Sequence, residues 1–132
     1  MFTLPYRTLM HQKRWATNGL NDVLAGTLSR LPADEQVLVR RLLDHIQTVD
    51  EIFSHTLEAT SHGHTAPRSD EIPSFDALAG KARATADWYA TYVDALAPEK
   101  VDEVVAFSFS NGEPASMTRG EILLHVATHS AG

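Results

Sequence analysis

Apolar side chains recur every three or four residues in four separate stretches of this 132-residue chain. That spacing is the period of an α-helix with one apolar face, and it differs from the two-residue alternation of a strand. The stretches cover about residues 4–31, 34–58, 74–97 and 118–129. Pro32 and Pro98 end the first and the third, because proline cannot continue a helix. The pattern predicts an all-α fold, a bundle in which four helices bury their apolar faces against one another.

The same spacing predicts which side chains form the core. We expect the following to face inward: Leu20, Val23, Leu24, Thr27, Leu28 and Leu31 on the first helix, and Leu38, Leu42, Ile46, Val49, Ile52 and Phe53 on the second. The third helix contributes Leu78, Ala82, Tyr89, Tyr92, Val93 and Leu96. Apolar residues cover more than one face of the first and third helices, and this predicts a homodimer that buries at least about 1,200 Å² in total.

The connections between the helices carry their own signals. Residues 59–73 combine small, polar and proline residues, and predict a long ordered loop. Residues 104–114 alternate around Asn111-Gly112, a dipeptide typical of tight turns, and predict a small β-hairpin between the third and fourth helices. Thr118 and Glu121 are spaced as a capping box, which favours a helix that starts at this point.

Composition limits the class of protein. With 43% hydrophobic residues, the chain can form one compact domain over residues 1–132. Its net charge of −6 and its 11 scattered basic residues argue against a nucleic-acid surface. No apolar run is long enough to cross a membrane and no signal peptide is recognisable, so we expect a cytoplasmic protein. Because the chain has no cysteine, any metal must be bound through nitrogen and oxygen.

Two histidines near the end of the chain are the first candidates for such a role. His125 and His129 are four residues apart, which places their imidazoles about 6 Å apart on one face of a helix, close enough to bind one metal ion. His45 is the best candidate for a third ligand, because it lies near the apolar seam of the second helix, whereas His55 points away from it. Three histidines with an open coordination position describe a catalytic site rather than a structural one. The alternative is that these are hydrogen-bonded core histidines.

The remaining polar candidates are weaker. His62 and His64 are interpreted as ordinary surface residues, whereas the position of His11 is compatible with a side chain that points into the bundle but is not favoured as a ligand. Asp44 and Asp50 flank His45 at offsets that point away from it, and we expect them on a solvated face. Glu121 has two possible roles, as a capping residue or as a hydrogen-bond acceptor for the ring of His125, and capping is favoured. No Ser-His-Asp set and no buried carboxylate pair is visible, so no catalytic residue is assigned.

Several segments together resemble the DinB-like helical bundles over nearly the whole chain. They are Arg14-Trp15-Ala16, the segment around His45, Phe107-x-Phe109 and the closing segment from Thr118 to His129. The resemblance implies a divalent-metal-binding four-helix bundle, commonly a homodimer, whose ligands would be His45, His125 and His129. It also implies that the chain is a transferase or isomerase that uses a low-molecular-weight thiol such as bacillithiol, mycothiol or glutathione.

Two positions depart from the family pattern. The family usually has asparagine two residues after the tryptophan of the first helix, where this chain has Thr17, with Asn18 following. The closing motif of the family continues beyond the second histidine for several more turns, whereas this sequence stops at Gly132. Either the fourth helix is short in this protein, or this sequence is truncated within it. We expect truncation at the C-terminus, because a helix that is short in the protein itself would leave apolar faces of the other three exposed.

The sequence thus predicts an enzyme that depends on a divalent metal, zinc or nickel, and conjugates a low-molecular-weight thiol to a small electrophilic substrate. Two alternatives remain open. The first is a non-catalytic, dimeric, metal-binding protein related to stress, whose site would be closed by a fourth protein ligand such as Glu121. The second is a metal-dependent hydrolase, which would be active without added thiol.

Overall fold

The computed structural model describes residues 4–131. These residues form four α-helices, α1 (Leu4–Thr27), α2 (Ala33–Glu58), α3 (Phe75–Ala95) and α4 (Arg119–Ala131). Strands β1 (Val104–Ser108) and β2 (Pro114–Thr118) form an antiparallel hairpin between α3 and α4. The predicted mainly helical class, its four helices and the hairpin are therefore confirmed.

Local sequence signals explain where the helices begin and end. The Ser74 hydroxyl accepts a hydrogen bond from the backbone N–H of Ala77 at 3.2 Å and caps α3. A 3₁₀ turn, Leu28–Arg30, separates α1 from Pro32, so the first helix ends a turn earlier than expected. At the start of α2 the capping position is Pro32, which has no side-chain donor or acceptor, and Asp34 lies inside the first turn instead.

The packing of the helices fixes the direction of α4. α3 and α4 each contact both α1 and α2. At the first turn of α4, the Arg119 guanidinium donates to the carbonyl of Leu57 near the end of α2, and Gly120 lies against Tyr6 near the start of α1. A Cβ at Gly120 would come within 2.7 Å of the Tyr6 hydroxyl, so only glycine permits this approach. α4 therefore runs parallel to α1 and antiparallel to α2. Its later residues consequently lie near the middle of α2.

The core lies toward the end of the bundle where the hairpin joins it. Its buried side chains are Met10, Phe53, Leu57, Tyr89, Val93, Leu96, Val101, Ile122, Leu123 and Val126. Tyr89 is fully buried, and its hydroxyl donates to the backbone carbonyl of Asp50 at 2.6 Å. Partly buried aromatic side chains of α3 and the hairpin, among them Trp88 and Phe107, surround this cluster.

The predicted core is wrong at the other end of α1 and α2. Leu38 is 67% exposed and Leu42 is 59% exposed, and Leu20 and Val23 are also exposed. Within residues 4–131, α4 spans 13 residues whereas α1 spans 24 and α2 spans 26, so the described part of α4 lies along only part of their length. Periodicity identifies an apolar face correctly, but it does not show how much of that face a neighbouring helix covers.

Several of the apolar side chains of α3 pack inside the chain and do not contribute to a homodimer surface. Leu78, Tyr89 and Val93 are buried within the chain and cannot contact a second copy. Trp15, on α1, is 76% exposed instead. The homodimer itself stays a prediction.

The capping box at the start of α4 is confirmed. The Glu121 carboxylate accepts a hydrogen bond from the Thr118 backbone N–H at 2.9 Å, and the Thr118 hydroxyl accepts one from the Glu121 N–H at 3.0 Å. The backbone hydrogen bond, followed by the Thr118 side chain, lowers the pKa of Glu121 below 4.5. This cap begins the helix that carries His125 and His129.

Glu121→Ala is therefore expected to lower the free energy of unfolding in a pH-dependent way. Because the folded-state pKa is depressed, the ionised Glu121 contributes stability above about pH 4.5, and this contribution is lost as the pH falls through the lower folded value. Urea unfolding at pH 7 and pH 3 checks this, with Glu113→Ala in the hairpin turn as the control. A difference between Glu121→Ala and wild type that is equal at both pH values would contradict it.

None of the helices formed by residues 4–131 combines the length and the apolar character needed to span a membrane.

Candidate metal centre

His45 lies in the middle of α2, and its ring is held in one orientation by a backbone carbonyl. Its Nδ1 lies 2.7 Å from the carbonyl oxygen of Pro67 in the 59–74 loop. Because a carbonyl oxygen only accepts hydrogen bonds, Nδ1 must carry the proton, and the neutral ring presents an unprotonated Nε2. Metal-binding histidines are typically oriented in this way, with the second nitrogen bonded to a carbonyl or carboxylate.

His129, on the last part of α4, faces His45 across the bundle. The two Nε2 atoms are 3.2 Å apart and the ring centroids are 5.0 Å apart. We call these two residues the histidine pair. Two nitrogens bound to one tetrahedral ion at about 2.0–2.1 Å would lie about 3.3 Å from each other. The spacing of the histidine pair therefore fits two ligands of one metal ion.

The second nitrogen of His129, Nδ1, is buried and lacks a hydrogen-bond partner among the described residues, so the two tautomers of its ring differ only at Nε2. If Nε2 carried the proton, this Nδ1 would be a buried acceptor without a donor, and if Nδ1 carried it, a buried donor without an acceptor, so the cost arises in both tautomers. If Nδ1 carried the proton, two lone pairs would face each other at 3.2 Å, an arrangement that a cation between them would stabilise. Burial, and then the charges of His45, His125 and Lys13, lower the pKa of His129 below 6.5 and favour the neutral form that metals bind.

His125 lies one turn before His129 on the same side of α4, but its ring does not join the histidine pair. It stacks on His129 with centroids 5.9 Å apart and packs edge-on against Phe53 at 5.1 Å. His125 is exposed rather than a core histidine, because Ile122 and Val126 occupy the buried face of α4 and leave His125 at its margin. Within residues 4–131, no three His, Asp or Glu side chains are gathered closely enough to hold a metal. The structure thus brings two of the three predicted ligands together.

The 59–74 loop folds over α2 and forms one wall of the site. Asp44 accepts hydrogen bonds from the backbone N–H and the hydroxyl of Ser69, at 2.8 and 2.7 Å. One turn earlier, Arg40 donates to the carbonyl oxygens of Ile72 and Pro73, each at 3.1 Å. The prediction that Asp44 is solvated is wrong, since the loop buries it to 4% exposure. The loop that orients His45 is therefore anchored to α2 through residues that follow Pro67.

A buried ion pair next to the histidine pair was not predicted. The Lys13 ammonium on α1 lies 2.9 Å from the Asp50 carboxylate on α2, and both side chains are 6% exposed. Asp50 was expected in solvent, and this prediction is also wrong. Burial raises the pKa of Asp50 above 3.8, and the charge and hydrogen bond of Lys13 oppose that rise. Its Oδ1 has no partner among the described residues. The one available signal was that Lys13 lies on the same helical stripe as Met10 and Asn21, which are buried with it.

The other histidines have separate partners. His11 lies 2.8 Å from a carboxylate oxygen of Asp94, and His55 lies 2.8 Å from the Thr60 hydroxyl at the end of α2. His62 and His64 stack on each other in the partly exposed loop, and His64 lies 3.3 Å from Glu51. None of these rings forms a contact with the histidine pair in the described part of the chain.

The site therefore offers an oriented imidazole, a second imidazole at ligand spacing, and a third exposed imidazole one helical turn away. Such a donor set suits zinc, nickel, copper and iron. No family model, no curated protein and no solved structure matches the chain.

Proposed function

We propose that this chain binds one divalent transition metal, zinc or nickel, through His45 and His129, with His125 as the third ligand. The observation that carries the proposal is the 3.2 Å separation of the two Nε2 atoms, one of them oriented by Pro67. Burial lowers the pKa of His129, which supports the proposal because metals bind the neutral imidazole. Since His125 is exposed, its ring has room to change rotamer when a metal binds.

We further propose that the chain is an enzyme of the DinB-like type, with a four-helix bundle as its scaffold. The resemblance in sequence suggests the class of reaction, in which a low-molecular-weight thiol is conjugated to a small electrophile. A bound metal would supply Lewis acidity and so lower the pKa of a bound thiol. The chain's own residues would orient the ligands: Pro67 holds the ring of His45, and the capping box begins the helix that carries His125 and His129.

An open coordination position favours catalysis over a purely structural metal. Glu121, the candidate for a fourth protein ligand, uses its carboxylate to cap α4. No carboxylate of residues 4–131 forms a hydrogen bond with either member of the histidine pair. A site with three protein ligands or fewer leaves room for a thiol or water, which is the arrangement of catalytic zinc centres.

The reaction is tested with untagged protein that has been stripped with a chelator and then reloaded with zinc or nickel. We expect conjugation of glutathione or cysteine to 1-chloro-2,4-dinitrobenzene to run at least about tenfold faster in the reloaded protein, because the metal stabilises the thiolate. The release of chloride and the absorbance of the thioether measure the rate. His55→Ala serves as the control and should behave as wild type.

Equal rates in the stripped and reloaded samples would contradict the catalytic proposal. Metal-dependent hydrolysis of p-nitrophenyl acetate without thiol would favour the hydrolase instead. Stable metal binding with neither activity would favour the non-catalytic, metal-binding protein.

A further inference from the structure

A cavity of about 550 Å³ lies between α2 and the 59–74 loop, beside His45. Its volume falls in the range of small-molecule sites. The side chains that decide its chemistry are Leu38, Arg41, Leu42, His45, Arg68 and Ile72. Two cationic groups and an apolar surface thus share one concave site.

The two arginines that line the cavity belong to different elements, Arg41 to α2 and Arg68 to the loop. Both are exposed, and neither has a hydrogen bond or an ion pair with any of residues 4–131. Neighbouring Arg40, in contrast, uses its guanidinium on the carbonyls of Ile72 and Pro73. The guanidinium N–H groups of Arg41 and Arg68 are therefore open to solvent and available to a bound molecule.

The acidic residues nearby do not neutralise this pair. Asp44 also lines the cavity and accepts hydrogen bonds from Ser69, so the two arginines and its single negative charge leave the lining with a net charge of +1. Asp70 and Glu71 are exposed and do not line the cavity. In a chain of net charge −6, two unpaired arginines in one cavity form a locally positive site. Guanidinium groups bind carboxylates and phosphates through paired hydrogen bonds, so the site suits an anion.

The remaining wall suits an apolar group. Leu38 and Leu42 are among the most exposed apolar side chains of the chain, and both line this cavity together with Ile72. The loop forms the other wall, and hydrogen bonds between Ser69 and Asp44 and between His45 and Pro67 hold it against α2. The cavity therefore has one polar and one apolar side, and the loop that encloses it is hydrogen-bonded to α2.

We propose that this cavity binds a small organic anion, with its carboxylate or phosphate held by Arg41 and Arg68 and its apolar part packed against Leu38, Leu42 and Ile72. Because the ring of His45 forms part of the wall, the bound molecule lies next to the histidine pair. Its role as a substrate or thiol of a metal enzyme rests on the proposed function, whereas the binding itself needs no metal.

The test uses 3-phenylpropionate as the probe and its neutral amide, 3-phenylpropionamide, as the matched control. Binding is followed by ¹H–¹⁵N chemical-shift changes at constant ionic strength. We expect the acid to bind at least about tenfold more tightly than the amide, and Arg41→Gln/Arg68→Gln to remove that preference. Arg83→Gln removes an exposed arginine of α3 outside the cavity and should bind as wild type does.

Equal binding of acid and amide to wild type, an unchanged preference in the double variant, or shift changes confined to residues outside the cavity would overturn the inference. The titration is done with chelator-stripped and metal-loaded protein. Discrimination of the acid by stripped protein supports the anion site even if no metal binds at the histidine pair. Metal binding without discrimination overturns the anion site alone.

Discussion

His45→Ala is expected to lower the affinity for zinc or nickel by at least about a hundredfold, since even changes to groups that only orient a metal ligand cost about 10–100-fold. The variant should remain folded, because His45 is partly exposed and is not one of the buried core side chains. Metal content after dialysis, measured by mass spectrometry on untagged protein, gives the result, and circular dichroism confirms the fold. His129→Ala should behave in the same way.

His55→Ala is the matched control for this prediction. His55 lies on the same helix, about 15 Å along its axis from His45, and its ring contacts Thr60. The variant should retain the metal content of wild type. A metal-free His55→Ala together with a loaded His45→Ala would show that the histidine pair is not the binding site.

Lys13→Met is expected to lower the free energy of unfolding by about 3–5 kcal/mol, because it leaves a buried carboxylate without its counter-charge. Asp50 is 6% exposed at its side chain, and its Oδ1 already has no partner among the described residues. Urea unfolding at pH 7 measures the loss. The double variant Lys13→Met/Asp50→Leu should recover most of it, because no unpaired charge remains buried.

The loss in Lys13→Met should shrink in acid. Burial raises the folded-state pKa of Asp50 above its ordinary 3.8, and removal of Lys13 removes the effects that oppose this rise. Stability linked to such a group is fully present below pH 3.8 and is lost as the pH rises through the folded pKa. The difference between the variant and wild type should therefore be larger at pH 7 than at pH 4. A loss below about 1 kcal/mol at pH 7 would show that Lys13 does not compensate a buried charge on Asp50.

Elements with local signals were predictable from the sequence. Ser74 and the Thr118–Glu121 pair cap helices through atoms three residues away, and Asn111-Gly112 lies in the turn of the hairpin. The facing of His45 also followed from helical geometry, because the position of a residue on a helix depends only on its spacing. These predictions needed no knowledge of distant parts of the chain.

Most of the wrong predictions depend on parts of the chain that are distant in sequence. Asp44 is buried by Ser69, 25 residues later, and Asp50 is paired with Lys13 from another helix. Leu38 and Leu42 lie on an apolar face that no helix within residues 4–131 covers at that end. The spacing of His125 and His129 likewise places their backbones correctly but does not decide the rotamer of the exposed ring. Periodicity describes one helix at a time, and these features depend on how two elements meet.

Diffraction at the metal absorption edge, from crystals of the untagged protein grown with nickel or zinc, tests the central claim most directly. The proposal predicts one anomalous peak per chain, about 2.0–2.1 Å from the Nε2 atoms of both His45 and His129. The same map would show whether His125 has turned to join them. A peak confined to His62 and His64, or no peak beside His45, would contradict the account.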